Sequence, residues 1–162
     1  MSDGAPSAAA LEAIRRGIDL RLDAEGRWMH EGEAFTHAGV TALFDRGLDL
    51  HPTTREPIVR IGEQWCYVRC DDLPFVVRRW RFGASATDPT LCGVLNTGAE
   101  VEVGHDALRV EADGRVTLCF ADAREARVSR AAQAALAPYL GETPAGFALL
   151  CPNGVTLEVT CR

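Results

Sequence analysis

Cysteine, histidine and a cluster of arginines are the residues of this chain whose types and spacing could do chemistry. Cys66 and Cys70 flank Tyr67-Val68-Arg69. On a helix such a pair would share a face and could grip a zinc ion. The run is β-branched and aromatic and follows a Gly62-Glu63 turn, so it reads as strand. Four residues of strand separate the thiols by roughly 13 Å, too far for one tetrahedral ion. Both are expected as core thiols, with no metal and no cofactor. His30-Glu31-Gly32-Glu33 opens like a metalloprotease helix, but the second histidine is missing and Gly32 disfavours helix. A turn at a strand end suits recognition instead, because glycine lets a backbone approach a ligand while His30 and Glu31 orient it. His30, Glu31 and Gly32 are therefore candidate ligand-binding residues. His37 is read as a solvated helix-start residue, His51 as a loop residue before Pro52, and His105-Asp106 as part of a turn.

Phe75-Val76-Val77-Arg78-Arg79-Trp80-Arg81-Phe82 carries the arginines. Strand alternation puts Val76, Arg78, Trp80 and Phe82 on one face. A guanidinium there either pairs with an acid such as Asp71 or Asp72, lines a cavity that takes an anion, or reaches out at a sheet edge stacked on Trp80. Arg78 joins the candidate ligand-binding residues on the second of these readings.

Much chemistry is excluded. The chain has no Gly-x-Ser-x-Gly elbow, dinucleotide glycine fingerprint or phosphate loop. All 17 basic residues are arginine, so no Schiff-base or general-base lysine exists. The net charge of −6 argues against nucleic acid as a partner, since phosphates are bound by basic surfaces. No stretch approaches the roughly 20 apolar residues of a membrane span, and the N-terminus lacks the pattern of a signal peptide. A cytoplasmic location with no membrane partner is expected. Six unevenly spaced cysteines in that setting are expected to be reduced and without a catalytic role.

The elements that must position these residues are many short strands and few helices, without βαβ alternation, which is the α+β pattern with antiparallel sheets. Ser7 caps a helix over residues 8–16. Thr36 is placed as the cap of a second, with Val40, Leu43 and Phe44 facing inward and Gly47 at its end. Ser129 caps a third, carrying Leu136, Tyr139 and Leu140 inward, which Pro138 bends or ends early. Residues 49–57 read as a loop.

An internal repeat organises the whole. Arg21-Leu22-Asp23-Ala24-Glu25-Gly26-Arg27-Trp28 returns as Arg109-Val110-Glu111-Ala112-Asp113-Gly114-Arg115-Val116. Each copy reads as a hairpin followed by a strand, a capped helix and a hairpin ending in cysteine, Cys70 or Cys161. The expected organisation is an N-terminal helix over 1–17, a first α+β half over 18–84 and a second over 85–162. The boundary is placed in the small, polar segment 83–89.

In order, these motifs resemble those of a bacterial domain-of-unknown-function family. Gly26-Arg27-Trp28-Met29-His30-Glu31-Gly32 is similar to that family's Trp-Phe-His-Glu-Gly signature. Asp71-Asp72-Leu73-Pro74-Phe75-Val76 is similar to its acidic-Ala-Pro-Phe-Val segment, Leu95-Asn96-Thr97-Gly98 to its Thr-Asn turn, and Leu108-Arg109-Val110 to its Pro-Leu-Arg-Val. The resemblance spans residues 18–161. It implies two similar α+β halves and no established activity, only ligand sensing or signal transduction. The chain departs from the family at His105-Asp106-Ala107, where the family has Asp-His-Pro, and in its arginine-rich strand after Phe75.

Three functional classes follow. The leading one is a non-enzymatic ligand-binding or signal-transduction module, with an unidentified small molecule or protein as partner and a site between the halves or at the His30-Glu31-Gly32 turn. A small hydrolase or transferase with a Cys–His or carboxylate–His pair is the alternative. A protein-interaction adaptor offering an open strand edge is the third.

Overall fold

The computed structural model describes residues 7–84, 90–122, 124–144 and 146–161. The chain divides into two compact units, Met1–Pro74 and Phe75–Arg162. Both are built from short strands and helices, so the fold is α+β.

The first unit opens with α1 (Ala8–Gly17), whose first turn is closed by Ser7 Oγ accepting from the Ala10 N–H at 3.2 Å. Arg15 and Arg16 occupy its last turn, where cations complement the helix dipole. β1 (Leu20–Leu22) and β2 (Trp28–His30) form the expected hairpin, and β3 (Glu33–Ala34) continues the meander. Next come α2 (Ala38–Gly47), β4 (Leu48–Leu50), β5 (Pro57–Ile61), β6 (Gln64–Tyr67) and β7 (Arg69–Cys70). The strands make a four-stranded sheet in the order β3-β2-β1-β7 and a three-stranded sheet β4-β5-β6. Val68, between β6 and β7, donates its N–H to the Pro57 carbonyl at 2.9 Å, and there the chain passes from one sheet to the other.

Three local expectations are corrected in this unit. α2 is capped by His37, whose Nδ1 accepts from the Val40 N–H at 3.3 Å, and not by Thr36. The Phe35 N–H donates to the Trp28 carbonyl, which holds the chain extended past β3 and delays the helix start. Of the residues expected to face inward from α2, Leu43 is exposed, while Phe44 packs on Trp28. Residues 48–50 form a strand directly after the helix, where only loop was expected from 49 onward. That abrupt change needs Gly47: a Cβ there would lie 2.3 Å from the Arg60 carbonyl oxygen.

The second unit contains β8 (Phe75–Phe82), β9 (Leu91–Leu95), β10 (Glu100–Glu102), β11 (Leu108–Val110), β12 (Val116–Cys119) and β13 (Glu125–Val128). α3 (Arg130–Leu136) runs into a 3-10 turn at Ala137–Tyr139, followed by β14 (Leu140–Thr143), β15 (Gly146–Leu150) and β16 (Thr156–Cys161). Ser129 Oγ caps α3 by accepting from the Ala132 N–H at 3.2 Å. Pro138 falls where the helix tightens to 3-10, as its missing N–H requires. Leu140 is exposed at the start of a strand rather than on the helix's inner side. One nine-stranded sheet runs β10-β9-β8-β13-β12-β11-β16-β15-β14.

The division into units differs from the halves expected at 18–84 and 85–162. β8 pairs parallel with β13 and antiparallel with β9, so it belongs to the second unit and the division falls before Phe75. Of the segment in which the boundary was placed, residues 85–89 lie outside the described residues.

Strand order within each unit can be compared directly. If β6 and β7 are taken as one interrupted strand, the first unit reads β3-β2-β1-(β7, β6)-β5-β4. The second contains β13-β12-β11-β16-β15-β14. In both, the first strand of the hairpin also has a parallel neighbour, with Leu22 opposite Cys70 and Val110 opposite Cys161.

Candidate functional site

The first unit holds a cavity of about 420 Å³, within the size range of small-molecule sites. Leu20 on β1, Phe44 on α2, Val59 on β5 and Trp65 on β6 form its apolar walls, with Phe35 between β3 and α2. Leu11, Ile14 and Arg15 of α1 lie along one side. His30, Gln64 and Cys66 contribute its other polar atoms.

Aromatic packing sets His30 in place. Trp28, 2% exposed, donates its indole N–H to Asp45 Oδ1 at 2.9 Å and packs on Phe44 with ring centroids 5.2 Å apart. Phe44 meets Phe35 edge-on at 5.3 Å, and Phe35 meets the His30 ring at 6.1 Å. The turn after His30 uses positive φ at both central residues, 49° at Glu31 and 83° at Gly32, and returns the chain so that His30 pairs with Glu33. Such a two-residue turn matches the strand twist and favours glycine at its second position. Glu31 and Gly32 are exposed and do not line the cavity; they hold the strand end that carries His30.

His30 stands opposite Leu20 in the β1–β2 ladder. In the β11–β12 hairpin of the second unit, Leu108 stands opposite Leu118, which is 0% exposed. His30 itself is exposed. No hydrogen bond is formed by the His30 side chain with the described residues.

α1 buries no residue of its own and is held at its C-terminal end by arginines. The Arg15 guanidinium lies over Trp65, 4.1 Å from the ring centroid, and that of Arg16 lies 3.9 Å from the centroid of Tyr67. Arg16 also makes a two-pronged ion pair with Glu56, both contacts 3.0 Å, and a third contact with Glu12. Those hydrogen bonds push the Arg16 pKa up and hold the Glu56 carboxyl below its ordinary range. Arg15 makes no ion pair with the described residues.

His51 belongs to the same cluster, with ring centroids 5.2 Å from Trp65 and 5.9 Å from Tyr67, and its Nδ1 accepts from the Thr54 N–H at 3.1 Å. Nothing in its sequence surroundings signals this role. His51 and Trp65 meet only because β4 and β6 flank β5.

Cys66 and His30 line one cavity but share no hydrogen bond. Burial pushes the Cys66 thiol up, away from the thiolate form that a nucleophile needs. Burial, then the Asp71 carboxylate, pushes Cys70 up to about 12. Cys66, Cys70, Cys92, Cys119 and Cys151 are free thiols, and Cys66 and Cys70 lie on the separate strands β6 and β7. The side chain of Cys161 lies outside the described residues.

Arg78 is not where strand alternation puts it. Val77 pairs with Leu95 and Arg79 with Val94, so Arg78 is the extra residue of a β-bulge and is exposed. The bulge resets the alternation: Val77 and Trp80 crowd the same side of Gly93, where an added Cβ would lie 3.3 Å from each. Trp80 is fixed by donating its indole N–H to the Ala132 carbonyl at 2.8 Å. Arg78 belongs to the second unit and does not line the cavity of the first.

The second unit has a smaller cavity of about 140 Å³ beneath α3, walled by residues such as Leu108, Leu136 and Leu149, with Gln133 as its polar member. The Gln133 amide is already used, donating to the Val128 carbonyl at 3.0 Å. On the surface, one ligand atom each of His105, Asp106 and Glu158 lies within 4.8 Å of the others, and all are exposed. No helix among the described residues is long and apolar enough to cross a membrane.

No protein-family model matches the sequence, and no curated protein matches it either. Among solved structures, the chain is similar to a DUF1285 family protein from Silicibacter pomeroyi DSS-3, with a TM-score of 0.62 and 18% identity over 88% of this chain and 80% of that one. It is also similar to a DUF1285 family protein from Shewanella baltica OS155, with a TM-score of 0.52 and 18% identity over 71% of this chain and 87% of that one. At this identity the likeness is one of fold. Both neighbours are domain-of-unknown-function proteins, the kind of family that the sequence resembles.

Proposed function

We propose that the first unit is a non-enzymatic small-molecule binding module whose site is the cavity between α1, α2 and the strands β1, β2, β5 and β6. One observation carries this reading: the walls are apolar, while Arg15, His30 and Gln64 line the same space with no ion pair or side-chain hydrogen bond to the described residues. A largely apolar cavity with a few placed polar groups is the usual form of a ligand site. A molecule held there would touch α1 as well as strands of both sheets. Its occupancy would alter how firmly α1 is held, and a signalling role would act through that change.

The hydrolase alternative has less support. It needs a thiolate or a base in contact with a nucleophile, whereas Cys66 is kept protonated by burial and makes no contact with His30 that would activate it. The matching strand orders of the two units, together with the repeated Asp/Glu-to-Gly hairpin, support descent by duplication.

A thermal-shift screen of a metabolite library against the wild type and Ile14→Trp tests the reading. Ile14 is 59% exposed and lines the cavity, so a larger ring there blocks the space without disturbing the core. Compounds that stabilise the wild type should fail to stabilise the variant. Equal stabilisation of both proteins would place the site elsewhere.

A further inference from the structure

We infer that the ligand of this cavity is an amphipathic monocarboxylate, an apolar body bearing one acid group, with the carboxylate held by Arg15 beside His30 and Gln64; this rests on the cavity being the binding site. The argument begins with the geometry of Arg15. Its guanidinium lies over the face of Trp65 at 4.1 Å. A cation over a ring face consumes none of the N–H donors, and the Arg15 side chain donates to none of the described residues, so the donors that grip a carboxylate with two hydrogen bonds are available. The neighbouring arginine, Arg16, shows what happens when an acid is in reach, because it is saturated by Glu56 and Glu12. Arg15 makes no ion pair with the described residues, although acids outnumber bases in the chain, 23 to 17.

The other polar groups agree with an acid head. Gln64 can donate through its amide, and His30 can donate from either ring nitrogen, according to tautomer and charge. No carboxylate is among the residues that line the cavity. The remaining walls, including Phe35, Phe44 and Trp65, suit an apolar body. A dianionic phosphate head fits less well, since Arg15 is the one permanently charged cation among the lining residues.

The test compares matched probes on the full chain. 3-Phenylpropionate and octanoate supply the acid on an aromatic or an alkyl body; 3-phenylpropanol and octanol supply the same bodies without charge. Binding is followed by protein NMR titration at neutral pH. The expected result is that at least one acid binds tenfold or more tighter than its alcohol. In Arg15→Gln the acid-to-alcohol ratio should collapse toward one. Gln64→Glu, an exposed isosteric change that puts a negative charge in the cavity, should weaken the acid and spare the alcohol. Because each readout is a ratio within one protein, partial loosening of α1 does not mimic the effect. The better acid identifies the body as aromatic or alkyl. Acid and alcohol binding equally, or the alcohol binding tighter, overturns the carboxylate assignment while leaving the cavity reading intact. If no probe of any charge binds, both fall.

Discussion

The guanidinium of Arg15 lies 4.1 Å above the ring of Trp65, joining a helix that buries no residue of its own to the hairpin beneath it. A cation over a half-buried indole such as Trp65 contributes about 0.5–1 kcal/mol. Arg15→Ala should therefore lower stability to denaturant by about that amount. It should also raise hydrogen exchange in α1 well before exchange in β5 or β6. Uniform exchange changes across the unit would show that α1 is held by other contacts.

The second attachment of α1 is the ion pair of Arg16 with Glu56, which holds the Glu56 carboxyl below its ordinary value of 4.5. A group whose folded pKa is lowered contributes stability above its unfolded pKa and loses it as pH falls through the folded value. The helix should therefore stay attached through mildly acidic pH and loosen below the ordinary carboxylate range. A carbon-detected NMR titration should give Glu56 a midpoint below 4.5, returning toward that value in Arg16→Gln. An unshifted midpoint in the wild type would remove the ion pair from the account.

Trp28 and Asp45 anchor the chain of rings that ends at His30. Trp28→Ala removes a buried indole and should cost about 3–5 kcal/mol. Asp45→Ala leaves the indole N–H without its acceptor and should cost about 1–3 kcal/mol. Asp45→Asn keeps an acceptor and should cost less. Equal losses for the two Asp45 variants, measured by urea unfolding, would show that charge rather than hydrogen bonding matters there.

Gly47→Ala should be among the most damaging single-methyl additions in the unit, since the new Cβ would meet the Arg60 carbonyl oxygen at 2.3 Å. Either the C-terminal end of α2 or β5 must shift. A melting temperature equal to that of the wild type would contradict the close approach.

With its pKa pushed up to about 12, Cys70 should alkylate far more slowly than a free thiol. At pH 8 only roughly one molecule in ten thousand carries the reactive thiolate. Mass spectrometry after iodoacetamide treatment should find Cys70 unmodified in the folded protein and fully modified in denaturant. Rapid labelling of the folded chain would mean that the strand carrying it opens readily.

Local signals were readable where one short segment decides the outcome. The caps Ser7 and Ser129, the tightening at Pro138 and the hairpin turns ending at Gly26 and Gly114 all rest on neighbours a few residues away. The place of His30 at a strand end was legible for the same reason, since the Glu31-Gly32 turn closes the hairpin there. Arg78 was misplaced because one extra residue in a ladder inverts every later side chain, and a bulge leaves no mark in an alternating pattern. The helix cap moved from Thr36 to His37 because a backbone hydrogen bond from Phe35 to Trp28 prolongs the extended stretch, which depends on pairing rather than on residue type. The cavity itself was out of reach. Leu20, His30, Phe44, Val59 and Trp65 meet only through tertiary packing, and Arg15 gains meaning only once Trp65 lies beneath it.

The most direct measurement is a map of amide shift changes when isotope-labelled protein is titrated with the tighter-binding of 3-phenylpropionate and octanoate. The account predicts changes concentrated at Leu20, His30, Phe44, Val59 and Trp65 and along α1, which abut or line the cavity, and lost in Ile14→Trp. Changes centred on the second unit, or surviving in Ile14→Trp, would contradict it.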